Sequence, residues 1–197
     1  MKGLPPAFFM DKKLIYVKQE VLPEDLLRGL MTEFHQAKAT SATVQRGYQS
    51  EERSQSRQTL CVDIKSHYDA VFSSIQAHQE TLSSFFSVPL HHLQELQFLK
   101  YEAGHFFKAH TDTLNYLPQG VSQRQISVVL YLNDALSEEN YHGGEFILYP
   151  TSQQRSKLQG FPLAIQANSL LAFHSNTLHE VRKVTQGVRY AIVGWFT

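Results

Sequence analysis

A histidine and an aspartate stand two residues apart in "FKAHTDT", as His110 and Asp112. On a β-strand, side chains at i and i+2 share a face, so the two could grip one ion. On a helix the same spacing splays them about 200° apart, and a helical ligand pair needs i and i+4. Bare H-x-D matches arise by chance, and a polar pair on an outward strand face needs no metal. The pattern gains meaning from a third ligand, because two histidines and one carboxylate with open positions opposite suit non-haem Fe(II). The chain has ten histidines. His35, His67 and His78 fall on or beside predicted helices, His91 and His92 in a turn, and His105 and His142 beside glycines. His174 and His179, in "LLAFHSNTLHEV", remain.

The elements that must position these residues follow from periodicity. "KLIYVKQEV" (13–21) reads as a strand. Pro23, Glu24 and Asp25 then open a helix with Leu26, Leu27, Leu30, Met31 and Phe34 at helical spacing; proline and acids suit its first turn. A second helix is expected over about 67–86, with Tyr68, Val71, Phe72, Ile75, Leu82, Phe85 and Phe86 on one side. The polar stretch 48–59 between them reads as a surface loop. From about residue 93 the rhythm changes to roughly eight short β-rich segments separated by turn residues, which argues for an antiparallel sandwich or barrel. Gly143 and Gly144 suit a turn or bulge before one of them. The expected organisation is a single domain over 1–197, with a helical support region (1–92) buttressing a β core (93–197).

Composition narrows the functional classes. Lys+Arg and Asp+Glu both number 18, so neither a basic nucleic-acid footprint nor a polybasic membrane patch is expected. Cys61 is the only cysteine, which excludes an intramolecular disulfide and fits a reducing compartment. The apolar run in "MKGLPPAFFMDKK" is shorter than a signal peptide or a membrane span requires. The expectation is a soluble, cytoplasmic protein.

From about residue 98 onward the chain resembles the Fe(II)/2-oxoglutarate-dependent dioxygenases, in their prolyl 4-hydroxylase-like branch. The resemblance rests on "YEAGHFFKAHTD", "ISVVLYLND", "GGEFILYP", "LLAFHSNTLHEV" and "RYAIVGWF", in that order and at that spacing. It implies a double-stranded β-helix, or jelly roll, with the N-terminal helices packed on the major sheet. It selects His179 over His174 as the third iron ligand beside His110 and Asp112, and leaves His174 lining or capping the barrel. It assigns Arg189, ten residues after His179, to the distal carboxylate of 2-oxoglutarate. A guanidinium suits that task because its planar fork binds a carboxylate bidentately, and a lone arginine inside an apolar strand is costly unless paired. Tyr131 matches a tyrosine that hydrogen-bonds the same carboxylate, and Tyr101 the aromatic residue preceding the first ligand. By strand parity Trp195 shares the face of Arg189 and becomes a candidate wall of the substrate pocket.

The implied reaction is hydroxylation of a C–H bond with O₂ and 2-oxoglutarate, releasing succinate and CO₂, with ascorbate as a supporting reductant. A prolyl residue in a protein or peptide is the first expectation for the substrate, with loops 48–59 and 113–125 placed to close over it. A free amino acid or small metabolite is the alternative, and alkylated nucleic acid fits the balanced charge poorly. Two readings from other classes stand beside these. A non-catalytic cupin-like binding module should lack a ligand or the arginine, and this chain has all four. A zinc hydrolase would use the same donors, but no general base stands out nearby.

Overall fold

The computed structural model describes residues 6–42, 44–46, 49–51, 55–114, 123–134, 141–150 and 159–197. In chain order its elements begin with α1 (Ala7–Asp11), β1 (Ile15–Gln19), α2 (Glu24–Gln36), β2 (Ala39–Ser41), β3 (Val44–Arg46) and β4 (Gln49–Glu51). There follow β5 (Arg57–Gln58), β6 (Leu60–Val62), α3 (Tyr68–Gln76) and α4 (Gln79–Phe86). The rest is strand: β7 (Gln97–Tyr101), β8 (Phe106–His110), β9 (Ile126–Tyr131), β10 (Tyr141–Gly143), β11 (Phe146–Tyr149) and β12 (Phe161–Leu163). β13 (Ser169–His174), β14 (Leu178–Val181), β15 (Val184–Gly187) and β16 (Arg189–Phe196) complete it.

A seven-stranded sheet in the order β1-β13-β9-β16-β7-β6-β2 faces a five-stranded sheet in the order β12-β11-β14-β8-β5, and the pairings are antiparallel. From β7 onward the chain alternates between them: β7 large, β8 small, β9 large, β11 and β12 small, β13 large, β14 small, β16 large. That winding is the expected double-stranded β-helix.

Residue alternation shows why the large sheet reads as continuous apolar runs. Along β9, Ile126, Val128 and Leu130 join one core, while Val129 and Tyr131 join another. Along β13, Leu170 and Ala172 go one way, and Leu171 and Phe173 the other. Both faces are therefore covered, and the period-2 polar signal vanishes. The inner core meets Phe146, Leu148 and Val181 of the small sheet. The outer core meets Leu30 and Phe34 of α2, Val71 and Ile75 of α3, and Leu82 and Phe86 of α4. The helices pack on the large sheet as expected.

Three expectations are corrected. The second helix is two. The N–H of His78 bonds to the Ile75 carbonyl three residues back, ending the α-helical ladder of α3, and Leu82 N–H restarts it on His78. No glycine or proline marks the break, so periodicity reads through it. The region 1–92 is not only helical support, since β1, β2 and β6 extend the large sheet and β5 edges the small one. The stretch 48–59 is not simply a loop, because β4 pairs with β3, and Arg57 and Gln58 pair with Phe107 and Phe106 of β8. Of the second proposed closing loop, residues 115–122 lie outside the described residues. No helix among the described residues is long and apolar enough to cross a membrane.

Candidate metal centre

Strand register brings the two histidines together. β14 pairs with β8 so that His179 lies opposite His110, with ring centroids 4.2 Å apart. Asp112 falls two residues beyond the end of β8. One donor atom from each of His110, Asp112 and His179 lies within 4.8 Å of the others.

The two imidazoles are set alike. His110 Nδ1 is 2.8 Å from the Lys108 carbonyl, and His179 Nδ1 is 2.9 Å from the Thr177 carbonyl. A carbonyl only accepts, so each Nδ1 carries the hydrogen and each Nε2 keeps a lone pair. Those Nε2 atoms stand 3.4 Å and 3.7 Å from Asp112 Oδ1 and Oδ2, respectively. Two donors each ~2.1 Å from an ion and at right angles about it are ~3 Å apart. The observed spacings are a few tenths wider, and the donor set fits a divalent cation. Phe107 stacks on His110 at 3.5 Å, while Phe146 and Phe173 flank His179.

Burial sets the charges. His179 is 5% exposed, and desolvation pulls its pKa down to about 4 against the attraction of Asp112. Burial pushes Asp112 upward, but His179, His110 and the Ser127 hydroxyl together hold it well below the usual carboxylate range. A neutral imidazole beside an ionised carboxylate is the state a metal requires.

Arg189, opposite Tyr101 across the β16–β7 pairing, is 1% exposed. Its Cζ lies 5.2 Å from the Tyr101 ring centre and 4.9 Å from that of Tyr131. Burial alone disfavours its charge, yet Tyr131, Tyr141 and Tyr101 hold its pKa above the ordinary value. Arg189 Nε and Nη2 and the Tyr131 hydroxyl are buried without a hydrogen-bond partner among the described residues. One cavity is lined by Arg189, Tyr101 and the three-residue cluster. Buried guanidinium nitrogens without a partner suit a planar anion.

Trp195 is buried and lines the same cavity, as parity predicts, but Arg124 lies 3.6 Å over its ring, so one face of the indole is covered. His174 is elsewhere. It turns to the helix side, 5.0 Å from the ring of Phe86, rather than lining the barrel. Sequence reasoning missed Tyr141, buried near Arg189, and Ser127, which donates to Asp112 Oδ2 at 2.7 Å. A hydroxyl inside "ISVVLY" was the available signal for Ser127.

The profile of the 2OG-Fe(II) oxygenase superfamily matches residues 96–197. The chain belongs to that superfamily. Membership implies Fe(II), 2-oxoglutarate and O₂ as the reacting set, and the His-Asp-His cluster fits the first. Among related sequences, a PKHD-type hydroxylase of Shewanella baltica is 30% identical over 126 residues, covering 64% of this chain and 51% of the relative. The chain thus spans about half the length of the curated relatives it matches. Among solved structures, a Pseudomonas putida prolyl-4-hydroxylase aligns with a TM-score of 0.71 at 22% identity, covering 96% of this chain and 97% of that one. A Trichoplax adhaerens prolyl hydroxylase, solved with a hypoxia inducible factor peptide fragment, aligns at 0.68 with 18% identity, covering 96% and 86%. This oxygenase therefore shares the prolyl hydroxylase fold over nearly its whole length.

Proposed function

We propose that this oxygenase hydroxylates a prolyl residue held in a polypeptide, using O₂ and 2-oxoglutarate and releasing succinate and CO₂. The observation that carries the reading is one cavity wall holding both the three-donor cluster and a buried arginine with two unpartnered nitrogens. His110, Asp112 and His179 would hold Fe(II). The chemistry supplied there is oxidative decarboxylation of 2-oxoglutarate coupled to C–H oxidation: one oxygen atom of O₂ enters the substrate and the other enters succinate.

The chain's own residues prepare the site. Arg189 receives the distal carboxylate bidentately and Tyr131 donates its hydroxyl to it, with Tyr101 walling the near side. The apolar rings around the histidines exclude water, which strengthens each charge contact and suppresses side reactions. Both N- and C-terminal parts act as one catalytic unit in this reading, since β1, β2, β5 and β6 complete the sheets.

The polypeptide reading is supported by a surface pocket of about 480 Å³ that shares Gln97 and Trp195 with the metal cavity. Its lining includes Ile64 and Phe98, and Arg124, also lining it, stands over the Trp195 ring. A pyrrolidine ring would pack against the composite Trp195–Arg124 wall while flanking residues lie along the pocket. The test is mass spectrometry of proline-containing peptides incubated with the protein, Fe(II), ascorbate and 2-oxoglutarate. A mass gain of one oxygen on proline, lost with Asp112→Ala, is expected. Hydroxylation confined to a free small molecule would exclude the polypeptide substrate.

A further inference from the structure

His110 and His179 are placed by strand register, but Asp112 lies beyond the end of β8, where no ladder holds it. The side chain that holds it comes from the opposite sheet. Ser127 Oγ lies 2.7 Å from Asp112 Oδ2 and 2.9 Å from Ser175 Oγ. The Asp112 N–H bonds to the Ser175 carbonyl at 2.8 Å, and Ser175 N–H to the Gln125 carbonyl at 2.9 Å. Both serines are buried, at 1% and 0% exposed.

A hydroxyl has one hydrogen to give, and an ionised carboxylate only accepts. Ser127 must therefore donate to Asp112 and accept from Ser175. The chain of donation runs Ser175 Oγ–H to Ser127 Oγ–H to Asp112 Oδ2, and each link polarises the next. One lone pair of Oδ2 is thereby taken, and the carboxylate is fixed with Oδ1 3.4 Å from His110 Nε2 and Oδ2 3.7 Å from His179 Nε2.

We infer that Ser127 and Ser175 are positioning residues that hold the Asp112 carboxylate across the gap between the sheets, so that one oxygen stays turned to the metal and the metal is retained. The inference rests on the metal reading above. Packing alone does not call for these hydroxyls. β9 is buried along its length and Ser127 sits opposite Phe173 and Trp195 in the ladders, a position that packing alone would fill with an apolar side chain.

The experiment is a Co(II) titration of the metal-free protein, following affinity and the ligand-field absorption of the bound ion. Ser127→Ala should weaken Co(II) binding by about 10–100-fold, the usual effect of removing a partner behind a metal ligand, and should shift the spectrum. Ser175→Ala, one link further back, should weaken binding less. Ser169→Ala removes an equally buried serine, whose hydroxyl bonds, among the described residues, to the Ala167 carbonyl at 3.4 Å, and should leave both readouts unchanged. Wild-type affinity and spectrum in a folded Ser127→Ala protein would overturn the inference. If that variant does not fold, unchanged values in Ser175→Ala overturn it instead. Failure of the wild-type protein to bind Co(II) would remove the metal reading, and this inference with it.

Discussion

At the scale of single residues, His179 makes acidification costly to the fold. Its pKa is about 4 in the folded chain against 6.5 for a free imidazole, because burial disfavours the charged form. Between those values the unfolded chain binds the extra proton, so stability falls as pH drops through that window and is level above it. Asp112 acts in the same direction lower down, since its carboxylate is held below its ordinary 3.8. Urea unfolding of the metal-free protein should give a lower midpoint at about pH 4.5 than at about pH 7.5, with a smaller difference in His179→Gln. An equal difference in that variant contradicts the assignment. Arg189 supplies the second residue-scale prediction. Arg189→Ala should cost about 2–5 kcal/mol of 2-oxoglutarate binding, since it leaves a buried carboxylate without its charged partner. Tyr131→Phe removes one hydrogen bond and should cost ~1 kcal/mol. Calorimetry on the metal-loaded protein separates the two, and equal losses would contradict the roles. These residues were named through the resemblance to known dioxygenases, and for Arg189 the cost of a lone charge inside an apolar strand pointed the same way. Tyr141 was not named, because its approach to Arg189 depends on β10 pairing with β15, the strand that precedes β16.

At the scale of elements, Gly144 closes a turn against Arg189, the residue proposed to bind the anion. Both Gly143 and Gly144 take positive φ, at +72° and +65°, and the β10–β15 register shifts between His142 and Gly143, which is the expected bulge. A Cβ on Gly144 would stand 3.3 Å from Arg189 Cδ, 3.2 Å from Tyr141 Cε2 and 2.9 Å from Val184 Cγ2. Gly104 also has positive φ, at +95°, but a Cβ there meets nothing within 4 Å. Either alanine pays the strain of the left-handed region, roughly 1–3 kcal/mol of stability. Under the proposed role of Arg189, only Gly144→Ala should also weaken 2-oxoglutarate binding, by about 1–2 kcal/mol, because the added Cβ crowds that side chain. Equal affinities in the two variants would detach the bulge from the site. Strands such as "RYAIVGWF" were readable as elements from their apolar runs alone. The break between α3 and α4 was not, because Ala77 and His78 are ordinary helix residues whose hydrogen bonds simply tighten there.

At the scale of the whole molecule, the two sheets are closed by short strands from the first third of the chain. Ile15 pairs with Phe173 and Arg57 with Phe107, contacts far apart in sequence made by segments of five and two residues. β1 was readable in "KLIYVKQEV", but periodicity cannot register β2, β5 and β6, of three, two and three residues, which is why the N-terminal region read mainly as helical support. The closure reaches the candidate site, since it brings Arg57 of β5 into the cavity wall beside the three-donor cluster. The central claim, that this cavity binds 2-oxoglutarate through both a metal and Arg189, has a direct test. It is the titration of 2-oxoglutarate, with oxygen excluded, into the protein with and without Fe(II). The account predicts one class of binding site that requires the metal and is lost in Asp112→Ala. Binding of the same strength without Fe(II), or in Asp112→Ala, would contradict it.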